Sequence, residues 1–301
     1  MKLRGFLFLF ALAVTTGTAT ASPEIFGKAA YDHTAAILAK GPRPAGSSGL
    51  KEVRSYVIAQ LEKAGWAVKE QAFTCKTPTG KVHFVNLRAR FAANGGDPWQ
   101  TLPAGVLCAH IDSKLIPDTE FLGADDAASA CGAILEMARF LAEHRPAQAS
   151  QLELAFFDGE EAFGTNITPN DGLYGSSAYA LMWRNQPRKP RFGILLDMIG
   201  HQNLRVLLPA DSPAFLKAHV LEAAAAENAG KHFQASDYSI IDDHAPLNAV
   251  GIPTIDLIGD FSNFAWWHNH AGGKDDLSII SADSLDLSIR VTLRTLERVL
   301  K

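Results

Sequence analysis

Leu152-Glu153-Leu154-Ala155-Phe156-Phe157-Asp158-Gly159-Glu160-Glu161-Ala162-Phe163 is the stretch on which the reading of this chain turns. Leu152 to Phe157 is a short apolar run that reads as a buried strand. Beyond it, three carboxylates gather around a glycine where the strand gives out. Such carboxylates repel one another and lose hydration, so the cluster calls for a metal ion, an arginine or shared protons. An acidic surface turn accounts for Glu160-Glu161 equally well until partners are found. In open α/β sheets, however, ligands bind at the carboxyl ends of strands.

Outward from this stretch the chain alternates. Ser47 or Ser48 caps a helix carrying Val53, Val57, Leu61 and Ala64, with Gly65 after its last turn. Two extended runs, 66–74 and 82–91, read as an antiparallel edge. A buried strand over 104–110 precedes a helix over 126–144, with apolar spacing at Ala130, Ile134, Met137, Phe140 and Leu141. After the strand at 152–157 come a helix at 175–184, strands at 192–198 and 204–208, a helix at 213–229, a strand at 254–258 and a helix at 281–300. Strands alternating with helices predict a single α/β domain, with a twisted, mostly parallel mixed sheet covered by helices on both faces.

Lys2 and Arg4 precede an apolar run from Phe6 to Val14, and Ala19-Thr20-Ala21 offers a small-residue cleavage site before Ser22. Residues 1–21 therefore read as a secretory signal peptide and 22–301 as the domain, secreted or periplasmic. No segment is long and apolar enough for membrane insertion. The 28 basic residues against 32 acidic ones, two of the basic ones lying in the leader, argue against nucleic acid as a partner. Cys75, Cys108 and Cys131 do not make a disulfide scaffold. For Cys108 and Cys131, a bridge and two buried thiols remain alternatives.

Several polar residues fall at expected strand exits or helix entries: His110, Asp126, Glu161 and Asp197. Parallel strands would bring these ends to one rim, and His268 in the loop Trp266-Trp267-His268 could complete a nitrogen and oxygen shell suited to zinc. Singly, each also reads as a cap, a surface charge or a satisfied core group, and Asp126 in particular as the cap of its helix.

In order along the chain, Gly41-Pro42-Arg43-Pro44-Ala45-Gly46-Ser47, His110-Ile111-Asp112-Ser113-Lys114, Gly123-Ala124-Asp125-Asp126, Asp158-Gly159-Glu160-Glu161, Asp171-Gly172-Leu173-Tyr174-Gly175-Ser176, Leu195-Leu196-Asp197-Met198-Ile199-Gly200, Asp242-Asp243-His244 and Trp267-His268 resemble the zinc-dependent, animal-type glutaminyl-peptide cyclotransferases. That family shares the zinc aminopeptidase fold. The resemblance implies one zinc held by Asp126, Glu161 and His268, with Glu160 as general base and acid. It also implies Asp197 and Asp242 as a buried acidic network and Trp267 as a wall of the substrate pocket. The expected reaction converts N-terminal glutamine of peptides or proteins to pyroglutamate with release of ammonia, by a protein expected to be a monomer.

Two alternatives stand beside it. His110, Asp126, Glu161, Asp197 and His268 also match the ligands of a secreted two-zinc aminopeptidase, in which Glu160 would activate water. A non-catalytic binding domain of the same fold is the other. The preference for cyclisation comes from Gly41-Pro42-Arg43-Pro44, Ser113-Lys114, Asp242 and Trp267. Some residues depart from the family pattern. Asn166-Ile167-Thr168, also a glycosylation sequon, stands where a pocket tryptophan is usual, so that aromatic wall is expected from Phe264 or Trp266. Ile241 replaces a usual glutamine, Asn269-His270-Ala271-Gly272-Gly273 lacks a threonine, and Cys108 is displaced by one residue from the partner expected for Cys131.

Overall fold

The computed structural model describes residues 26–262 and 266–301; the expected leader and Phe264 lie outside them. Along the chain run helices α1 (Gly27–Leu38) and α2 (Ser48–Lys63), then strands β1 (Ala67–Thr77), β2 (Gly80–Arg90) and β3 (Gly105–His110). Helices α3 (Ala130–His144) and α4 (Pro146–Ala149) follow, then β4 (Leu152–Phe157), α5 (Tyr174–Trp183), β5 (Phe192–Asp197) and β6 (Val206–Leu208). Helix α6 (Ala214–Ala226), β7 (Phe233–Ala235), α7 (His244–Ala249), β8 (Thr254–Gly259) and α8 (Ala282–Val299) complete the set.

The eight strands form one mixed sheet in the order β1-β2-β4-β3-β5-β8-β6-β7. Its centre, β4-β3-β5-β8, is parallel. Those four strands are buried at every residue, as expected of strands covered on both faces. The β1–β2 hairpin joins antiparallel to β4, the edge anticipated from the two extended runs. The period of two along β3 divides the core: Leu107 and Ala109 face the layer built on α1, α2, α3, α6 and α8. Val106 and Cys108 face the opposite layer, with Tyr179 and Trp183 of α5 and Leu247 of α7.

That alternation decides the cysteines. Cys131, on α3, lies in the first layer, whereas Cys108 points to the second, so the sheet separates the two sulfurs. Both thiols are free; Cys131 donates to the His110 carbonyl at 3.1 Å and Cys108 to that of Ile194 at 3.5 Å. A displacement of one residue in a strand is a change of face.

Several elements differ from the sequence reading, among them α4, β7 and α7, which it did not expect. The helix expected from Asp126 begins at Ala130. Asp126 (φ −103°, ψ 88°) and Ala127 (φ −122°, ψ 41°) are non-helical, and Asp126 caps nothing; its carboxylate is left to face the site. Helix α6 is shorter than the expected 213–229. Helix α1, which was not anticipated, buries Ala30, Thr34, Ile37 and Leu38 but starts at Phe26 without a side-chain cap, so no start signal marks it.

Candidate metal centre and catalytic cavity

Parallel pairing brings the exits of β3, β4, β5 and β8 to one rim, and the loops leaving them carry the polar residues. At the β4 exit, Gly159 takes φ +77°, and a Cβ there would come within 2.4 Å of the Phe84 ring. Glycine therefore makes the turn that sends Glu160 and Glu161 back over the sheet. Their amides donate to Asp112 at 3.2 and 3.3 Å, fixing the two glutamates from the neighbouring β3 exit.

The segment carrying Asp126 is held from two sides. Asp275 accepts from the amides of Asp125 (2.7 Å) and Asp126 (3.1 Å), and its own amide donates to Asn269 Oδ1 at 2.8 Å. Asn269 adjoins His268, and both take left-handed backbone, φ 53° and 50°. From the other side the wholly buried Arg43 donates Nε to the Ile111 carbonyl at 2.9 Å, Nη2 to that of Gly123 at 2.8 Å, and Nη1 to that of Leu122. Nη2 also donates to the Asp126 carbonyl at 3.4 Å, so a guanidinium spanning four carbonyls splints the loops that bear Asp112 and Asp126.

Two groups of ligand atoms result. Asp126, Glu161 and His268 form one, and His110, Asp126 and Asp197 the other, the atoms within each lying no more than 4.8 Å apart. His268 Nε2 lies 3.3 Å from Glu161 Oε1 and 3.5 Å from Asp126 Oδ2. His110 Nε2 lies 3.0 Å from Asp126 Oδ1 and 3.5 Å from Asp197 Oδ1, while its Nδ1 faces Asp112 at 3.5 Å. Lys114 Nζ sits 3.3 Å from Glu161 Oε2 and donates to the Ala162 carbonyl at 2.9 Å. Burial would raise Asp126, but bonds and charges from His110 and His268 hold it far below the usual carboxylate range. Burial would likewise lower His268, yet Asp126 and Glu161 raise it to about 9. The trio thus attracts a proton strongly, and a divalent cation can replace that proton. Glu161 Oε1, although buried, has no hydrogen bond of good geometry, and mixed imidazole and carboxylate donors fit zinc.

Beside the trio opens a cavity of about 340 Å³ lined by Asp126, Glu160, Glu161, Asp197, Asp242, Trp267 and His268 among others. Every proposed catalytic and ligand residue of the one-metal set faces it. Trp267 stacks on His268 with centroids 4.1 Å apart, and Ile167, Ile240, Ile241, Ile258 and Phe261 supply apolar wall. Trp266 does not line the cavity; it is buried and stacks on His201 at 5.2 Å. The wall opposite the metal trio is therefore largely aliphatic, with Ile167 of the departing Asn166-Ile167-Thr168 segment in it.

Asp242, which lines the same cavity, belongs to a second acidic group that the sequence signalled through the run Asp242-Asp243-His244. Asp242, His244 and Asp256 bring ligand-type atoms within 4.8 Å of one another, all buried, and Asp243 is fully buried beside them. His244 Nδ1 is 3.6 Å from Asp256 Oδ2. Burial, then mutual repulsion, raises Asp243 and Asp256 well above the ordinary range, and burial also raises Asp242 and Asp197. Glu160 rises well above its usual value through burial and through repulsion by Glu161, Asp242 and Asp243, against the pull of His110. Asp256 was legible in one respect: it is a carboxylate inside an otherwise apolar strand, which is costly without a role.

The chain matches the model of peptidase family M28 over residues 93–296. It is 30% identical over 277 residues to the glutaminyl-peptide cyclotransferase of Drosophila melanogaster, covering 83% of this chain and 76% of that one. A crystal structure of glutaminyl cyclase from an Acidobacteriales bacterium superposes with TM-score 0.78 at 27% identity, covering 93% and 97% of the two chains. A Zn-dependent exopeptidase from Parabacteroides distasonis gives 0.76 at 28% identity, over 93% and 99%.

Proposed function

We infer, from the premise that this chain belongs to peptidase family M28 and within it to the glutaminyl-peptide cyclotransferases, that it is a glutaminyl cyclase acting on peptide N-termini. The observation that carries the residue assignment is the position of Glu160, which lines one cavity together with the Asp126–Glu161–His268 trio and Asp242.

Asp126, Glu161 and His268 would hold a zinc ion, which when bound acts as a Lewis acid towards the γ-carbonyl of the glutamine. Glu160 takes one proton from the neutral α-amine as its nitrogen bonds to the γ-carbon. The carboxyl then delivers that proton to the departing amide nitrogen, which leaves as ammonia as its bond to carbon breaks, and the lactam remains. A carboxyl raised well above its usual value serves both directions. Asp242 sustains that elevation through its charge, and Asp197, raised by burial and by repulsion from Asp126 and Asp242, extends the acidic network around it. Trp267 and the aliphatic wall keep the glutamine side chain folded against Glu160 and exclude water.

The leader-like segment Lys2 to Ala21 supports export, and among the described residues no helix is long and apolar enough to cross a membrane. A two-zinc aminopeptidase is the second reading, favoured by the His110–Asp126–Asp197 group. Incubating the protein with a glutamine-initiated peptide and following mass tests the assignment. Loss of ammonia from an intact peptide is expected, with one zinc per chain; release of free N-terminal residues, with two zinc ions, would overturn it.

A further inference from the structure

A second cavity adjoins the catalytic one at His268. This neighbour, about 540 Å³, shares Lys114, Thr165, Asn166, Trp267 and His268 with the first. Its lining includes an apolar group, Leu115, Ile116 and Pro117 from the loop after β3 and Phe163 from the loop after β4, beside Thr119, Asn269 and His270. Leu115 is 46% exposed, a large aliphatic side chain that its own chain leaves uncovered at the mouth of a cavity. Lys114 cannot give the wall a free positive charge, because Glu161 and the Ala162 carbonyl engage its ammonium.

Accepting the cyclase reading, on which this inference rests, the glutamine must curl so that its α-nitrogen meets its own γ-carbonyl beside Glu160. The rest of the peptide then has to leave the catalytic cavity. The floor is closed by strand-end residues Asp197 and Ile258, both buried. The second cavity, bordered by the same Lys114, Asn166 and Trp267, is the adjoining space that can receive the peptide. We propose that this second cavity seats the residue following the N-terminal glutamine and selects substrates with a large apolar side chain there. Covering Leu115 and Ile116 is the source of the selectivity, because it removes apolar surface of both partners from water.

The test compares Gln-Xaa-Ala amides, with Xaa Leu, Phe, Ala, Ser or Glu, in the parent enzyme and in a Leu115→Ser, Ile116→Ser double variant. The parent is expected to favour Leu and Phe over Ser by about tenfold in kcat/KM, a size typical of one aliphatic contact. The double variant should lose that preference while turning over glutamine amide, which has no following residue, as the parent does. An unchanged preference in the variant, or none in the parent, would overturn the proposal. Calorimetric binding of pyroglutamyl-Leu-Ala and pyroglutamyl-Ser-Ala amides reads the cavity independently of turnover. If no glutamine peptide is cyclised, the reaction assignment fails, whereas equal affinity for the two product peptides means that the second cavity is not a subsite.

Discussion

Two clusters of buried acids flank Glu160, and they solve the same electrostatic problem in opposite ways. On one side, Asp126 and Glu161 face His110, His268 and Lys114 at 3.0–3.5 Å, with Arg43 beneath, and Asp126 is held strongly ionised. On the other, Asp197, Asp242, Asp243 and Asp256 crowd together with far less cationic compensation, and their carboxyls rise. Carboxylates paired with cations are built to keep negative charge and so to accept a metal. Those left to repel one another are built to keep protons. Glu160, between them, borrows from both: it lies beside the metal trio, yet its own titration is set largely by burial and its acidic neighbours.

The largest effect is expected where the two clusters meet. Glu160→Gln keeps the shape of the side chain and removes its proton exchange, so kcat should fall by about a thousandfold, within the range of general acid–base catalysis. Zinc content by mass spectrometry should be unchanged, since Glu160 lies outside the ligand trio. Loss of metal in this variant would mean that Glu160 and Glu161 have their roles exchanged. Next comes the cation-paired cluster itself. His268→Ala should weaken zinc binding by at least about a hundredfold, compared with the ten- to hundredfold losses seen for residues behind a ligand. Treating the parent with a chelator should abolish activity, and added zinc should restore it. A His268→Ala protein that retains stoichiometric zinc would place the ion in the His110–Asp126–Asp197 group instead.

The proton-holding cluster should respond more gently. Asp242→Asn removes one source of repulsion on Glu160, so the Glu160 carboxyl should titrate lower and, as a weaker base, take the α-amine proton less readily. Turnover is expected to fall about tenfold with KM little changed, the acidic limb of the pH–rate profile moving to lower pH. A change confined to KM would make Asp242 a substrate contact and break the contrast.

The cation-paired cluster was the more legible of the two in sequence. Asp126, Glu161 and His110 fall at strand exits or loop entries whose positions follow from apolar runs, and parallel pairing brings such ends together. What holds them in place was not legible, because it acts between residues distant in sequence. Arg43 reaches four carbonyls about 68–83 residues away, and Asp275 binds amides about 150 residues before it. Neither bond leaves a local pattern. These same anchors explain why a helix expected at Asp126 starts four residues later, since Arg43 and Asp275 hold that backbone in another form. The proton-holding cluster was half visible: Asp242-Asp243-His244 is a local run, whereas Asp256 joins it only because β8 pairs with β5.

The smallest effect is also the one that most sharpens the contrast. In the folded protein Asp256 stays protonated above the ordinary carboxylate range, through burial and repulsion from Asp242 and Asp197. The unfolded chain releases that proton near pH 3.9. The native state therefore binds more protons than the unfolded state, so stability falls as pH rises. The contribution is fully present below the unfolded pKa and is lost as pH climbs towards the raised folded value. Asparagine at this position has the same shape and no proton to lose. Asp256→Asn should therefore be close to the parent in stability near pH 4 and more stable by roughly 1–2 kcal/mol at pH 8, a discounted fraction of the linkage expected for a buried acid. Urea denaturation at several pH values measures the gap. If the gap closes or reverses as pH rises, Asp256 is ionised in the native state and paired with His244 3.6 Å away. The second cluster would then hold charge like the first, and the division between a metal-binding and a proton-holding side would fall.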